Sequence, residues 1–243
     1  MIDFVELRKR FIDRGMEQDV SEYEDAYREL LARIESICKA SPGGEWGDAK
    51  RIKEYSFVLR QVLLHRSINL FEGALTALLF NNVYSMALLL RGNFETTGAL
   101  GYLHKRLDSF AQGNIDSKKV DEDICIQILG SREKGIPNAP EAKNVLSMLE
   151  YADITVSKNI FQGTSNQCNM LTDCYLYLCE FSHPNFHSNS IAYDLDKPNS
   201  QFILRHSKPM RDIEFKLIGY LLLSAPIFID LFDKVGEKLL EIV

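Results

Sequence analysis

The sequence predicts a mainly α protein. Apolar residues recur at spacings of three and four through most of its 243 residues, and strictly alternating β-branched runs are almost absent. Turn-forming Pro and Gly mark breaks between periodic stretches at Ser41-Pro-Gly-Gly44 and Gly135-Ile-Pro-Asn138. The expected architecture is a helical bundle around a long antiparallel helical hairpin, with a small β-hairpin before the last helix. It forms one domain over 1–243, with 1–44 as a candidate N-terminal helical extension. Hydrophobic residues make up 46% and charged residues 26%, which excludes a disordered or collagen-like chain. The formal charge of −6, from 28 Lys+Arg against 34 Asp+Glu, argues against generic binding to nucleic acid or anionic membrane.

The elements follow in order. A helix from about Ile2 to Arg14 gives way at Gly15. A second is expected to start near Ser21, where Ser21-Glu-Tyr-Glu24 has the form of a capping box. Its stripe of Tyr23, Tyr27, Leu30, Leu31, Ile34 and Cys38 faces a partner until Ser41-Pro-Gly-Gly44 stops it. Asp48 to Phe80 and Val83 to Phe110 form the two arms of the hairpin, joined by a tight turn at Asn81-Asn82. Shorter helices are expected at Lys118–Leu129, Pro140–Asn159 and Ser165–Phe181, with a turn at Gly135-Ile-Pro-Asn138. Ser190–Leu195 and Gln201–His206 flank the turn-forming Asp196-Lys-Pro-Asn-Ser200 and predict the β-hairpin. A last helix spans about Met210 to Leu240, with a kink or local break expected at Pro226.

Five cysteines, with no Cys-x-x-Cys pair and no zinc-type His spacing, fit a reduced cytoplasmic chain. The N-terminal ten residues mix acids and bases where an export signal would be apolar. Leu75–Leu90 is interrupted by Asn81-Asn82, and Leu217–Ile229 falls short of the roughly 20 residues of a bilayer crossing, so both read as buried helices. No membrane partner is expected, and no cofactor. Phosphate loops, nucleophile elbows, His-Glu-x-x-His helices and EF-hand loops are absent from the sequence.

Polar chemistry concentrates in two places. Cys179-Glu-Phe-Ser-His-Pro-Asn-Phe-His-Ser-Asn189 holds two of the five histidines. Pro184 disfavours helix at His183, so a helix is expected to end there. The helix dipole would then favour a cationic imidazole, giving a proton donor or anion contact, or simply a cap of the last carbonyls. Glu180 and His183 share the Glu-x-x-His spacing of di-iron bundles, but the second copy such a site needs is missing, so this metal reading stays incomplete. The second place is Arg91-Gly-Asn-Phe-Glu95, an i, i+4 ion pair inside an apolar stretch from Met86 to Leu103. It either locks the bundle or faces the His183 loop to form a polar pocket. Asp121-Glu-Asp123 reads as a solvated acidic run at a helix start, and Trp46 as an anchor for the loop before the hairpin.

The Arg91-x-x-x-Glu95 helix, the Tyr177-Leu-Cys-Glu-Phe-Ser-His183-Pro helix end, the short hairpin and the apolar last helix together resemble a bacterial helical family of unknown function. The resemblance spans roughly Asp48 to Leu240, and that family is distantly similar to HEPN proteins. The resemblance implies a binding or effector protein of bacterial phage defence. It also implies, for an active member, a metal-independent ribonuclease. HEPN ribonucleases carry Arg followed after four to six residues by His; here only Arg60–His65 has that spacing, inside a predicted helix where the two do not share a face. The candidate catalytic residues are therefore Arg91, Glu95 and His183, with Tyr177, Asn185 and His187 as candidate binding residues. Candidate partners are RNA or another protein, and a homo-oligomer is compatible with the sequence. A non-catalytic scaffold and a metal- or small-molecule-binding bundle are the alternatives.

Overall fold

A computed structural model describes residues 2–35, 44–131, 139–160, 169–205 and 208–242. Cys38, Cys168, His206, the turn at 135–138 and most of the stop at 41–44 lie outside these residues. The helices are α1 (Phe4–Ile12), α2 (Glu17–Leu31), α3 (Ala49–Leu79), α4 (Val83–Ala111), α5 (Ser117–Leu129), α6 (Val145–Ile160), α7 (Met170–Cys179), α8 (Phe186–Ser190), α9 (Asp212–Phe215) and α10 (Tyr220–Glu241). Two antiparallel strands, β1 (Tyr193–Asp196) and β2 (Gln201–Leu204), precede α9. The mainly helical fold built on a long hairpin, with a small β-hairpin ahead of the last long helix, is as the sequence predicts.

The α3–α4 hairpin is organised by its caps and turn. Asp48 accepts from the Lys50 amide at 3.3 Å to start α3, and Asn82 accepts from the Ser85 amide at 3.0 Å to start α4. Between the arms Asn81 takes a left-handed φ of 54°, and the Asn82 amide reaches back to the Ala77 carbonyl at 2.8 Å. The helix α4 is the axis of the molecule, with α3, α6, α7 and α10 packed against it. Two glycines permit the closest of these approaches: a Cβ on Gly101 would stand 2.5 Å from the Ala152 Cβ of α6, and one on Gly98 would stand 3.0 Å from Leu149. Within this apolar core, Asn93 of α4 accepts from Ser67 of α3 at 3.0 Å and donates to Ser224 of α10 at 2.9 Å. The helices α1 and α2 bury Leu7, Phe11, Val20, Tyr23 and Leu30 in the same core; Phe11 meets Phe215 edge-on, and Tyr27 stacks on Phe71.

Several expectations are corrected. The helix α2 begins at Glu17, so Ser21 lies inside it and is not its cap; Leu31 and Ile34 are exposed. The helix α10 runs through Pro226 unbroken, and the irregular segment lies earlier, as a 3₁₀ turn at Lys216–Gly219. The helix before the His183 loop ends at Cys179, and that loop contains the short helix α8. Trp46 is half exposed and lies over the Arg51 guanidinium at 5.0 Å.

Candidate functional site

The polar cluster on α4 depends on how α7 is held. The Asn169 side chain makes no cap hydrogen bond; the buried Asp153 of α6 does the work instead. It accepts from the Leu171 amide at 2.8 Å, the Thr172 amide at 3.1 Å and the Thr172 hydroxyl at 2.7 Å. Burial raises the Asp153 pKa, and these three donors oppose the rise. Fixed in this way, α7 turns Tyr175 toward Arg91 and delivers the Ser182-His183 turn beside it.

Arg91 donates to the Ser182 hydroxyl at 3.0 Å and to the Tyr175 hydroxyl at 3.3 Å. Its Nε lies 3.2 Å from Glu95 Oε1, and Glu95 Oε2 lies 3.8 Å from Arg66 of α3, which also donates to the Thr96 hydroxyl at 3.0 Å. The pair is not fully buried, contrary to what its apolar surroundings suggested: the Arg91 and Glu95 side chains are 29% and 24% exposed. Burial opposes the Arg91 charge, but the Tyr175 hydrogen bond and the neighbouring acidic groups outweigh it and raise its pKa. Burial likewise raises the Tyr175 pKa, with Cys179 adding to the rise. Two guanidiniums thus share one carboxylate, which leaves the cluster cationic and partly open to solvent.

None of the remaining candidates is hydrogen-bonded or ion-paired to Arg91 or Glu95 among the described residues. His183 is exposed, and its side chain has no hydrogen-bond partner among the described residues; its carbonyl accepts from the Asn185 amide at 2.8 Å. Asn185 starts α8 by accepting from the Ser188 amide at 3.2 Å, and its amide donates to Glu180 at 2.6 Å. Asn185 therefore caps the beginning of a helix, where the end of one was expected. The half-buried Tyr177 meets Phe181 and His187 edge-on, with ring centroids 5.5 and 5.8 Å apart. The fold brings Arg91 to Glu95, Tyr177 to His187 and Asn185 to Glu180, and it connects Arg91 to His183 only through the adjacent Ser182. Among the described residues no group of three or more His, Cys, Asp or Glu side chains is placed to hold a metal ion. Arg60 and His65 do not form a unit: Arg60 donates to the Phe232 carbonyl at 2.8 Å, while His65 is exposed beside Asn69.

The chain matches no family model, no curated protein and no solved structure. Its site rests on its own geometry.

Sequence reasoning does not single out Arg66, Tyr175 or Ser182 as site residues, although Ser182 lies in the motif that carries His183. Arg66 was within reach of such reasoning, because Arg66 and Glu95 stand nearly equidistant from the Asn81-Asn82 turn and so meet at one level of the hairpin. A second cluster overturns the solvated reading of Asp121-Glu-Asp123. Asp121 and Asp123 are 0% exposed. Asp121 accepts from Arg51 at 2.7 Å and from the Gly47 amide at 2.9 Å, and Asp123 is ringed by Arg106 at 3.0 Å, Lys143 at 3.0 Å and Lys119 at 3.6 Å. One helical stretch among the described residues, Asp212–Glu241, is long and apolar enough to cross a membrane, and half of its most apolar window is buried inside the fold.

Proposed function

We propose that this protein is a HEPN-like effector of bacterial defence, cytoplasmic and acting on RNA without a metal, and that its site is the cationic cluster of Arg66, Glu95 and Arg91 at the His183 turn. The observation that carries the reading is the hydrogen bond from Arg91 to Ser182, which sets a partly exposed guanidinium one residue from an exposed imidazole. Arg91 supplies charge to a phosphoryl group as negative charge builds on it, Glu95 orients Arg91, and His183 moves the proton. In metal-independent cleavage of this kind the ribose 2′-hydroxyl loses its proton and attacks the adjacent phosphorus. The 5′-oxygen leaves with a proton, and a cyclic phosphate remains. Tyr177 and His187 offer aromatic faces on which a base can stack.

The test is RNA degradation, or growth inhibition on expression, by Arg91→Ala and His183→Ala beside thermal melts. His183 is exposed without a side-chain partner, so His183→Ala leaves Tm unchanged. Loss of activity of about 100-fold or more in that variant is expected for a proton-transfer group. Full activity in a folded His183→Ala protein overturns the catalytic reading.

A second reading, a non-catalytic interaction protein, is favoured by β2. All four of its residues are exposed, and Phe202 and Leu204 are 68% and 74% exposed.

A further inference from the structure

Away from the Arg91 cluster, a cleft of about 720 Å³ opens between the C-terminal end of α1, the Asn81 turn and the α9 region, and it is lined chiefly by charged side chains. A volume of this size suits a small ligand. Two of its ion pairs are closed: Lys9 with Glu6 at 3.3 Å and Arg14 with Asp212 at 2.6 Å. Arg14 is fixed further by donating to the Met210 carbonyl at 2.9 Å and by lying over the Phe215 ring at 4.3 Å, so it serves as wall. Arg10 and Lys216 differ from it. Neither has a carboxylate within 4 Å among the described residues, and the one hydrogen bond Arg10 makes there goes to the neutral side-chain oxygen of Asn81, at 3.1 Å. Asn81 is itself held in the left-handed turn that joins α3 to α4. A guanidinium has five N–H donors in a fixed fork, so this contact sets the orientation of Arg10 and leaves most of its donors without a partner among the described residues of the cleft it lines. Asp13 is the one lining carboxylate with no cation within 4 Å among the described residues. The surplus in the cleft is therefore a pre-oriented guanidinium and an ammonium against one acid.

We propose that this cleft binds the phosphoryl group of a small phosphorylated ligand, with Arg10 as the bidentate contact and Lys216 as the second charge. A tetrahedral oxyanion offers the paired acceptors that a guanidinium fork matches, and its second negative charge takes up the ammonium. The site is independent of the Arg91 cluster, on other elements of the fold.

Calorimetric titration with inorganic pyrophosphate tests it, on the intact protein at low ionic strength. Saturable binding is expected, weakening as salt is raised. Arg10→Gln and Lys216→Gln each weaken it roughly tenfold, the loss of one charge-assisted contact. Asp13→Asn tightens it, because the opposing charge is gone. The control Arg28→Gln, on the exposed face of α2, leaves it unchanged. Lys216 is exposed, so its variant folds even if Arg10→Gln does not. Absence of saturable binding, or equal affinity in wild type, Lys216→Gln and Asp13→Asn, overturns the proposal.

Discussion

His104 carries a pH dependence that can be read in advance. It sits half-buried on α4, and its buried Nδ1 has no hydrogen-bond partner among the described residues. Burial lowers its pKa below 6.5, with Lys234 and Lys238 of α10 pushing the same way and Asp108 and Asp230 opposing. The unfolded chain then binds this proton at a higher pH than the folded one. Stability is held above the unfolded value of about 6.5 and lost as pH falls below it. The urea midpoint should decrease between about pH 7 and pH 5, more steeply in wild type than in His104→Gln, since that variant removes the proton uptake. Parallel profiles would assign the slope to other groups. Asp123 shows why such single residues resist reading from sequence. An acidic triplet at a helix start looks alike whether it faces water or cations, and the cations here arrive from Arg106 on α4 and from Lys143 ahead of α6.

The approach of α4 to α6 is the contact most exposed to small changes in volume. At Gly101 a methyl group would meet the Cβ and Cα of Ala152 at 2.5 and 2.7 Å, so a helix must move. Gly101→Ala is expected to lower stability by about 1–3 kcal/mol, despite the gain of up to ~1 kcal/mol in helix propensity, measured by urea unfolding. Gly73→Ala is the contrast: its new Cβ meets only the ends of the flexible Leu89 side chain, at 3.1 and 3.3 Å, and should cost far less. Equal stability of the two variants would show that the crossing relaxes freely. At this scale the sequence was most readable. The hairpin arms, their Asn turn and the β-hairpin fall within a few residues of where periodicity and turn chemistry place them. The errors lie at ends decided by partners. The start of α2 has no side-chain cap to read, and α7 borrows its cap from Asp153, a residue on another helix. The candidate site was readable in part: Arg91 and Glu95 share a helical face, whereas the link to His183 runs through a turn whose path depends on α7.

At the scale of the whole molecule, β2 offers an exposed surface to another chain. The Arg205 amide donates to the Ala192 carbonyl at 2.8 Å, so by antiparallel alternation the backbone groups of Phe202 and Leu204 point away from β1. An uncharged apolar edge of this kind is a template for strand pairing. Sedimentation of the wild type should show concentration-dependent association, and Phe202→Lys should abolish it while leaving the melting temperature unchanged; a strictly monomeric wild type would remove self-association from the second reading. The interior allows no comparable adjustment. Asn93, Ser67 and Ser224 meet at one level on three different helices. Sliding any of those helices by a single turn, about 5.4 Å, would strand hydrogen-bonding groups among leucines and phenylalanines at a cost of roughly 1–3 kcal/mol each. The three long helices are thereby indexed to one another like the wards of a lock. Any rearrangement that keeps these hydrogen bonds must therefore take place in the shorter elements around that frame.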